Sequence, residues 1–268
     1  MILMDFSGIA VATIAVNKVN DENMLRHMML NSVRMYNKKF RNQYGQMIIC
    51  CDGANNWRRG YFPQYKANRR KGRDESGFDW AEAFRIMHKV KDEIKENFPY
   101  KVIHLEGCEA DDIIGTMVEH TQEFGQYEEV MIVSSDKDFL QLQKYNNVRQ
   151  WSHILKKEIK DPHPKLNLID KILSGDNTFV NGERQTPLSK KKKEAMMQDI
   201  SEVVGLSAEW YRNYQRNRKL IDLTQTPQKL KNQIIDDFWI TVFNEGKALP
   251  YLINNNMKQL IGSVEEFL

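Results

Sequence analysis

Residues 130–139 read Val-Met-Ile-Val-Ser-Ser-Asp-Lys-Asp-Phe, a short apolar run that stops at an acidic pair. An apolar run of this length, bounded by polar residues, suits a buried strand. The pattern recurs along the chain. Asp5 follows Ile2-Leu3-Met4, Asp52 follows Met47-Ile48-Ile49-Cys50-Cys51, and Glu109-Ala110-Asp111-Asp112 comes soon after Val102-Ile103-His104-Leu105. In a parallel α/β sheet the carboxyl ends of the strands open onto one crevice, so acids far apart in sequence converge there.

Carboxylates crowded within a few ångströms resist joint ionisation unless a cation neutralises them. Oxygen-only ligands suit a hard ion, Mg²⁺ or Mn²⁺. Any one of these acids taken alone is better explained as a turn residue or a helix N-cap. Repetition of the pattern at four strand ends favours metal. Spacing constrains the roles. In an extended segment Asp136 and Asp138 point the same way, whereas Glu109 and Asp111 both reach a metal only if they form the non-helical entry to the next helix.

Outward from these clusters, the chain alternates strands with helices. Apolar residues at helical spacing predict helices over 21–40, 79–98 and 111–124, with Trp80, Phe84, Met87, Val90 and Ile94 as the buried stripe of the second. Strand and helix alternation predicts a parallel sheet with right-handed crossovers. Beyond Trp151 the pattern becomes helical, at 166–173, 190–204, 208–217 and 230–243. The expected organisation is an α/β core over 1–150 followed by a smaller, mostly helical region over 151–268.

The segment 53–76 interrupts this alternation. It carries no acid before Asp74, while Arg58, Arg59, Lys66, Arg69, Arg70, Lys71 and Arg73 accumulate among Trp57, Tyr61, Phe62 and Tyr65. Clustered cations with aromatic rings are the footprint of single-stranded nucleic-acid binding. Gly60, Pro63 and Gly72 break any long helix here, so short helices or a loop over the crevice are expected. A second basic run, Lys190 to Lys193, also reads as an exposed helix start.

Composition excludes several other classes. The 268 residues are 41% hydrophobic with a formal net charge of +3, and no stretch approaches the roughly 20 apolar residues of a membrane span. Cys50, Cys51 and Cys108 lack metal or disulfide spacing, which suits buried thiols in a reducing compartment. The expectation is therefore a soluble protein without a secretory signal, acting in the cytoplasm.

Four motifs now resemble the flap endonuclease superfamily of 5′ nucleases, and within it the T-even bacteriophage ribonuclease H branch. They are Met4-Asp5-Phe6-Ser7, Tyr65-Lys66-Ala67-Asn68-Arg69, Glu109-Ala110-Asp111-Asp112 and Ser134-Ser135-Asp136-Lys137-Asp138-Phe139. The similarity extends through Trp57-Arg58-Arg59, Gln150-Trp151-Ser152 and Leu220-Ile221-Asp222. The resemblance implies a PIN-like core under a basic arch, and a nuclease that removes RNA primers and 5′ flaps in phage DNA replication, inside an infected bacterial host. It implies Asp5, Asp52, Glu109, Asp111, Asp136 and Asp138 as ligands of two Mg²⁺ ions, with Mn²⁺ as a substitute. Asp112 would be a water-mediated ligand. Lys66 and Arg69 would act at the scissile phosphate with Asp111 and Asp136, and Arg58, Arg59, Tyr65, Arg70, Lys71 and Arg73 would bind nucleic acid. Implied partners are DNA, RNA-DNA hybrid, a phage single-strand DNA-binding protein and a sliding clamp, met by a monomer.

One departure stands out. The family carries Gly-Asp, a short spacer and a second Asp-Asn pair opening a helix-turn-helix element. This chain has Gly175-Asp176-Asn177 and then passes straight to Thr178-Phe179-Val180. Asp176 is therefore both a candidate ligand of the second metal and a candidate N-cap. Two alternatives remain at this point: a branched or single-stranded DNA-binding protein with decayed catalysis, and a PIN-type ribonuclease.

Overall fold

The computed structural model describes residues 1–122, 127–175, 208–242, 244 and 246–268. Its centre is a sheet of six strands in the order β3-β2-β1-β4-β5-β6. These are β1 (Ile2–Asp5), β2 (Met47–Cys51), β3 (Lys101–His104), β4 (Val130–Val133), β5 (Val148–Ser152) and β6 (Lys157–Ile159). All neighbouring pairs are parallel except β5 with β6. The chain builds β1, β2 and β3 outward in one direction, then returns to place β4 on the other side of β1. That reversal puts a crevice at the carboxyl ends of β1 and β4.

The helices joining these strands are α1 (Phe6–Asn17), α2 (Glu22–Tyr44), α3 (Trp57–Tyr61), α4 (Asn68–Asp74), α5 (Trp80–Asn97) and α6 (Ala110–Thr121), and α7 (Pro164–Ser174) follows β6. Asp5, Asp21 and Asp79 accept backbone N–H groups at the starts of α1, α2 and α5, supplying acceptors for donors that a helix leaves orphaned. Helix α1 was not foreseen. Its sequence, Phe-Ser-Gly-Ile-Ala-Val-Ala-Thr-Ile-Ala-Val, is apolar on every side and gives no helical period to read.

Strand residues alternate between two cores. Ile2, Met4, Ile49, Met131 and Val133 face the α2 and α5 side, while Leu3, Ile48, Cys50, Ile103 and Ile132 face α6. The C-terminal helices complete both layers. Leu230 and Ile234 of the helix Gln228–Ile240 pack against α6, while Tyr251, Leu252, Leu260 and Phe267 fill the opposite core. The sheet also continues beyond the expected change of character at Trp151, through β5 and β6. Three residues in β6 are too few to announce a strand by alternation.

Of the two forms expected for segment 53–76, short helices or a loop, the structure has short helices, α3 and α4. A smaller apolar cluster joins Tyr65 of this segment to Ile172 and Leu173 of α7 and to Tyr214, Leu220 and Ile221 of the helix Ala208–Ile221. The segment is thus seated on the C-terminal region as well as on the core. Among the described residues no helix is long and apolar enough to cross a membrane.

Candidate active site

Asp5 is a buried acid of the crevice. Its Oδ1 accepts the Gly8 amide at 2.8 Å and its Oδ2 accepts the Ser134 hydroxyl at 2.8 Å. A Cβ on Gly8 would lie 2.4 Å from the Asp5 carboxylate, so only glycine admits this close approach. Burial, reinforced by Asp52 and Asp136, pushes the Asp5 carboxyl up to about 6. Ser134 ties β1 to the loop after β4, because its hydroxyl also accepts the Asp136 amide at 3.1 Å.

Asp52 follows β2 and accepts, at 2.8 Å, the amide of Ala110, the first residue of α6. The surrounding protein and then the Glu109 charge push its carboxyl upward, although one side of Asp52 stays open to solvent. The backbone behind it is close-packed. A Cβ on Gly53 would strike the Leu105 carbonyl at 1.9 Å, and the Gly53 amide donates to Cys108 O at 2.8 Å.

Glu109 is the N-cap of α6, with extended φ −92° and ψ 163°. That non-helical entry is the condition under which Glu109 and Asp111 can both face the crevice. Burial drives Asp111 well above the ordinary carboxylate range, and Glu109, Asp136 and Asp5 add to the shift. Glu109 moves the other way. Burial alone would raise it, but Lys66 and Arg58 nearby, with hydrogen bonds from Lys66 and Tyr65, hold it below its ordinary value. The Lys66 ammonium donates to Glu109 Oε1 at 2.8 Å and lies 4.0 Å from Asp111, while the Tyr65 hydroxyl donates to Glu109 Oε2 at 2.8 Å.

Several expected roles change. Asp112 accepts four hydrogen bonds, from Trp57 Nε1 (3.2 Å), Thr226 Oγ1 (2.7 Å), Arg58 Nη1 (2.8 Å) and the Glu109 amide (2.9 Å). This fills the lone-pair capacity of a carboxylate and leaves Asp112 no direct place on a metal. Arg58, only 1% exposed, pairs with it and also donates to Leu220 O, so it is buried away from phosphate. Tyr65, 3% exposed, positions Glu109 instead of stacking on a base. Exposure alone is not legible in a run of arginines, which is why Arg58 read as part of the basic face.

Asp136 and Asp138 also diverge. Asp136 caps the 3₁₀ helix Lys137–Lys144, accepting the Asp138 amide at 2.9 Å, so the two do not form an extended pair. Asp138 makes an ion pair with Lys171 of α7. Arg59, Arg69 and Lys71 remain exposed and Arg73 half-exposed, while Asp176, the Lys190 to Lys193 run and the side chain of Arg70 lie outside the described residues.

Sequence reasoning missed Gln150. Its amide donates to Ser134 O at 3.0 Å and to Asp136 O at 2.7 Å, from a fully buried position on β5. The only signal was its place in the Gln150-Trp151-Ser152 motif.

The carboxylates therefore converge, and Asp5, Asp52, Glu109 and Asp136 are each anchored by a donor. Among the described residues no three His, Cys, Asp or Glu side chains close into a ready metal cage. The acids expected to hold the ions stand as an open ring. Its chemistry fits a hard divalent ion, since Asp5, Asp52, Glu109, Asp111 and Asp136 offer oxygen only, and the upward shifts of Asp5, Asp52 and Asp111 mark an unmet demand for positive charge.

A family model described as 5′-3′ exonuclease, N-terminal resolvase-like domain, matches residues 10–168, and one described as T4 RNase H, C terminal, matches residues 151–267. The chain belongs to the family of 5′-to-3′ exonucleases and T4-type ribonucleases H. Ribonuclease H of Enterobacteria phage T4 is 35% identical, over 99% of this chain and 95% of that protein. The alignment runs over 291 positions against 268 residues here, so the relative carries residues without a counterpart in this chain. The fold is that of the bacteriophage T5 5′-exonuclease solved with zinc ions, at a TM-score of 0.69 and 17% identity over 90% of this chain and 98% of that one. A T5 flap endonuclease solved as a pseudo-enzyme–product complex with DNA and metal ions matches at 0.64 and 16%, over 99% and 98%.

Proposed function

We propose that the chain is a divalent-metal-dependent 5′-to-3′ nuclease that hydrolyses RNA-DNA hybrids and 5′-ended or flapped duplex DNA, as in the removal of RNA primers during phage replication. The observation that carries this reading is the ring of Asp5, Asp52, Glu109, Asp111 and Asp136 at the carboxyl ends of β1, β2 and β4 and the start of α6, with Lys66 reaching into it. The metal-bound and DNA-bound T5 neighbours agree with it. Mg²⁺ is the ion of choice and Mn²⁺ the substitute, because the donors are all hard oxygens.

Each residue has a task. Asp5, Asp52, Glu109, Asp111 and Asp136 would hold the first ion. Asp138 would join a second by exchanging its Lys171 partner, with Asp176 as a further proposed ligand. Bound divalent ions supply Lewis-acid activation of water and neutralise charge on the phosphate and the leaving 3′ oxygen. Lys66 and Arg69 bring fixed positive charge to the scissile phosphate, a contribution that grows in a water-poor crevice. Arg59, Lys71 and Arg73 draw the negatively charged strand toward the crevice. By the same family reading the chain acts as a monomer in the cytoplasm of an infected host, beside a single-strand DNA-binding protein and a sliding clamp.

The test is cleavage of an RNA-DNA hybrid and of a 5′-flapped duplex with Mg²⁺ or EDTA, beside Asp136→Asn. Mg²⁺-dependent products from both substrates, lost in the variant, are expected. Binding without cleavage under every metal would overturn the proposal in favour of a branched-DNA-binding protein.

A further inference from the structure

Two ammonium groups stand on acids at the carboxyl end of the sheet. Lys66 sits on Glu109, within the ring, whereas Lys171 comes from α7 and pairs with Asp138. Two observations separate Asp138 from the ring. Asp136 is among the charges that most raise Asp5 and Asp111, and Asp138 is not. Asp138 instead lines a cavity of about 270 Å³ between the 3₁₀ helix Lys137–Lys144 and α7, together with Lys137, Asp161 and Lys171, and no acid of the ring lines it. Both ends of the pair rest on fixed scaffold. Asp138 O accepts Gln141 Nε2 at 2.7 Å, and the same amide donates to Ile221 O at 3.1 Å. Next to Lys171, Ile172 and Leu173 are buried in the cluster with Tyr65 and Tyr214, and Asn217 Nδ2 donates to Ile172 O at 2.9 Å. The start of α7 is tied to the same 3₁₀ helix, because Asp161 accepts the Asn167 side chain at 2.6 Å while its own amide donates to Gln143 Oε1 at 2.9 Å.

We infer that Lys171 is a tethered counter-ion of Asp138 that competes with the second divalent ion, so that the acid ring fills first and the second ion binds only by displacing the ammonium. The inference deepens the proposed two-ion reading and rests on it. The physical reason is a difference in demand for charge. The ring acids crowd one another and are shifted upward for want of a cation. Asp138 already has one, delivered by a helix whose position is set by its own packing. An incoming ion must therefore give up part of its attraction to Asp138 in breaking that pair. The chain would rest with one ion bound, and the Mg²⁺ concentration that supports cleavage would lie above the one that fills the ring. Lys171 thereby differs from Lys66, whose charge belongs to the ring and is available to the scissile phosphate.

The test counts ions on the full chain without nucleic acid, so that it does not depend on cleavage. Electron paramagnetic resonance of free Mn²⁺ is followed as the metal is titrated into the protein. Wild type should show a tighter class of bound Mn²⁺ and a weaker one. Lys171→Met should strengthen the weaker class alone, by about fivefold or more, the worth of a partly exposed ion pair. Lys171→Arg, which keeps the charge, should bind like wild type. On an Asp138→Asn background Lys171→Met should add nothing. Lys165→Met, at the exposed start of α7, controls for net charge and should move neither class. Lys171→Gln repeats the measurement if Lys171→Met folds poorly. Cleavage should follow the binding, with Lys171→Met needing correspondingly less Mg²⁺ for half-maximal rate. The inference is overturned if Lys171→Met leaves the number and affinity of bound ions unchanged, if both classes tighten together, or if Lys165→Met has the same effect. Failure of the nuclease reading would show separately, as a wild type that binds no Mn²⁺ and cleaves nothing in Mg²⁺.

Discussion

Replacing Asp112 by alanine is the sharpest structural perturbation available near the site. Arg58 and Asp112 are 1% and 0% exposed at their side chains, and their 2.8 Å pair anchors the start of the arch to α6. The variant would leave Arg58 with only a 3.4 Å contact to Glu109 and its bond to the Leu220 carbonyl. It would also strip the acceptor from Trp57 Nε1, Thr226 Oγ1 and the Glu109 amide. Removing one partner of a buried ion pair costs about 3–5 kcal/mol, because the remaining charge stays desolvated. For a domain of this size that corresponds to a fall in Tm of roughly 6–20 °C. Differential scanning calorimetry of wild type, Asp112→Ala, Arg58→Met and the double variant Arg58→Met/Asp112→Leu measures it. The double variant should recover most of the loss, since an apolar replacement of a buried pair is often near neutral. An Asp112→Ala Tm within about 2 °C of wild type, less than 1 kcal/mol at this size, would refute the reasoning. So would a double variant no better than the sum of the singles.

Three further outcomes follow from the same geometry. A carboxyl whose folded-state pKa lies above its unfolded value holds its proton more tightly when folded. Metal-free stability should therefore fall as pH rises from near 3.8 through about 6, the span over which Asp5 is shifted. Asp5 contributes at most about 3 kcal/mol of this fall; Tm in EDTA against pH should fall less in Asp5→Asn, where the raised Asp52 and Asp111 carboxyls still act, than in wild type, and parallel curves would contradict it. Gln150→Leu removes the two Gln150 bonds to the Ser134–Asp136 turn and should raise the Mg²⁺ concentration needed for half-maximal cleavage by about tenfold; an unchanged Mg²⁺ titration would exclude a positioning role. Lys66→Met should lower kcat by about a hundredfold while substrate affinity in EDTA stays within a few-fold, whereas equal losses in both would reduce Lys66 to a backbone contact.

Four strands of the sheet were legible because their apolar runs lead into acids, and strands over 2–4, 47–52, 101–105 and 130–135 all appear with small changes of boundary. The convergence of Asp5, Asp52, Glu109, Asp111 and Asp136 was legible for the same reason. What stayed hidden was which charges face inward. Arg58 and Arg59 are adjacent and alike in sequence, yet Arg58 is buried on Asp112 while Arg59 is exposed. Only the third dimension brings Leu220, Thr226 and α6 to one of them. Helix α1 was hidden by uniform apolarity, and β6 by its brevity. The motifs Trp57-Arg58-Arg59, Gln150-Trp151-Ser152 and Leu220-Ile221-Asp222 carried more structure than chemistry, since Arg58 bonds to Leu220 and Gln150 holds the loop of Asp136.

The central claim is that the acid ring uses a divalent ion to cut from the 5′ end. A single-turnover assay on one flapped duplex, with different dyes at the 5′ and 3′ ends of the flapped strand and with Mg²⁺ titrated from an EDTA-treated stock, tests it most directly. The expected result is release of short 5′-labelled products at a rate that rises with Mg²⁺ and vanishes in EDTA. Products that carry the 3′ dye first, or a rate indifferent to Mg²⁺, would contradict it.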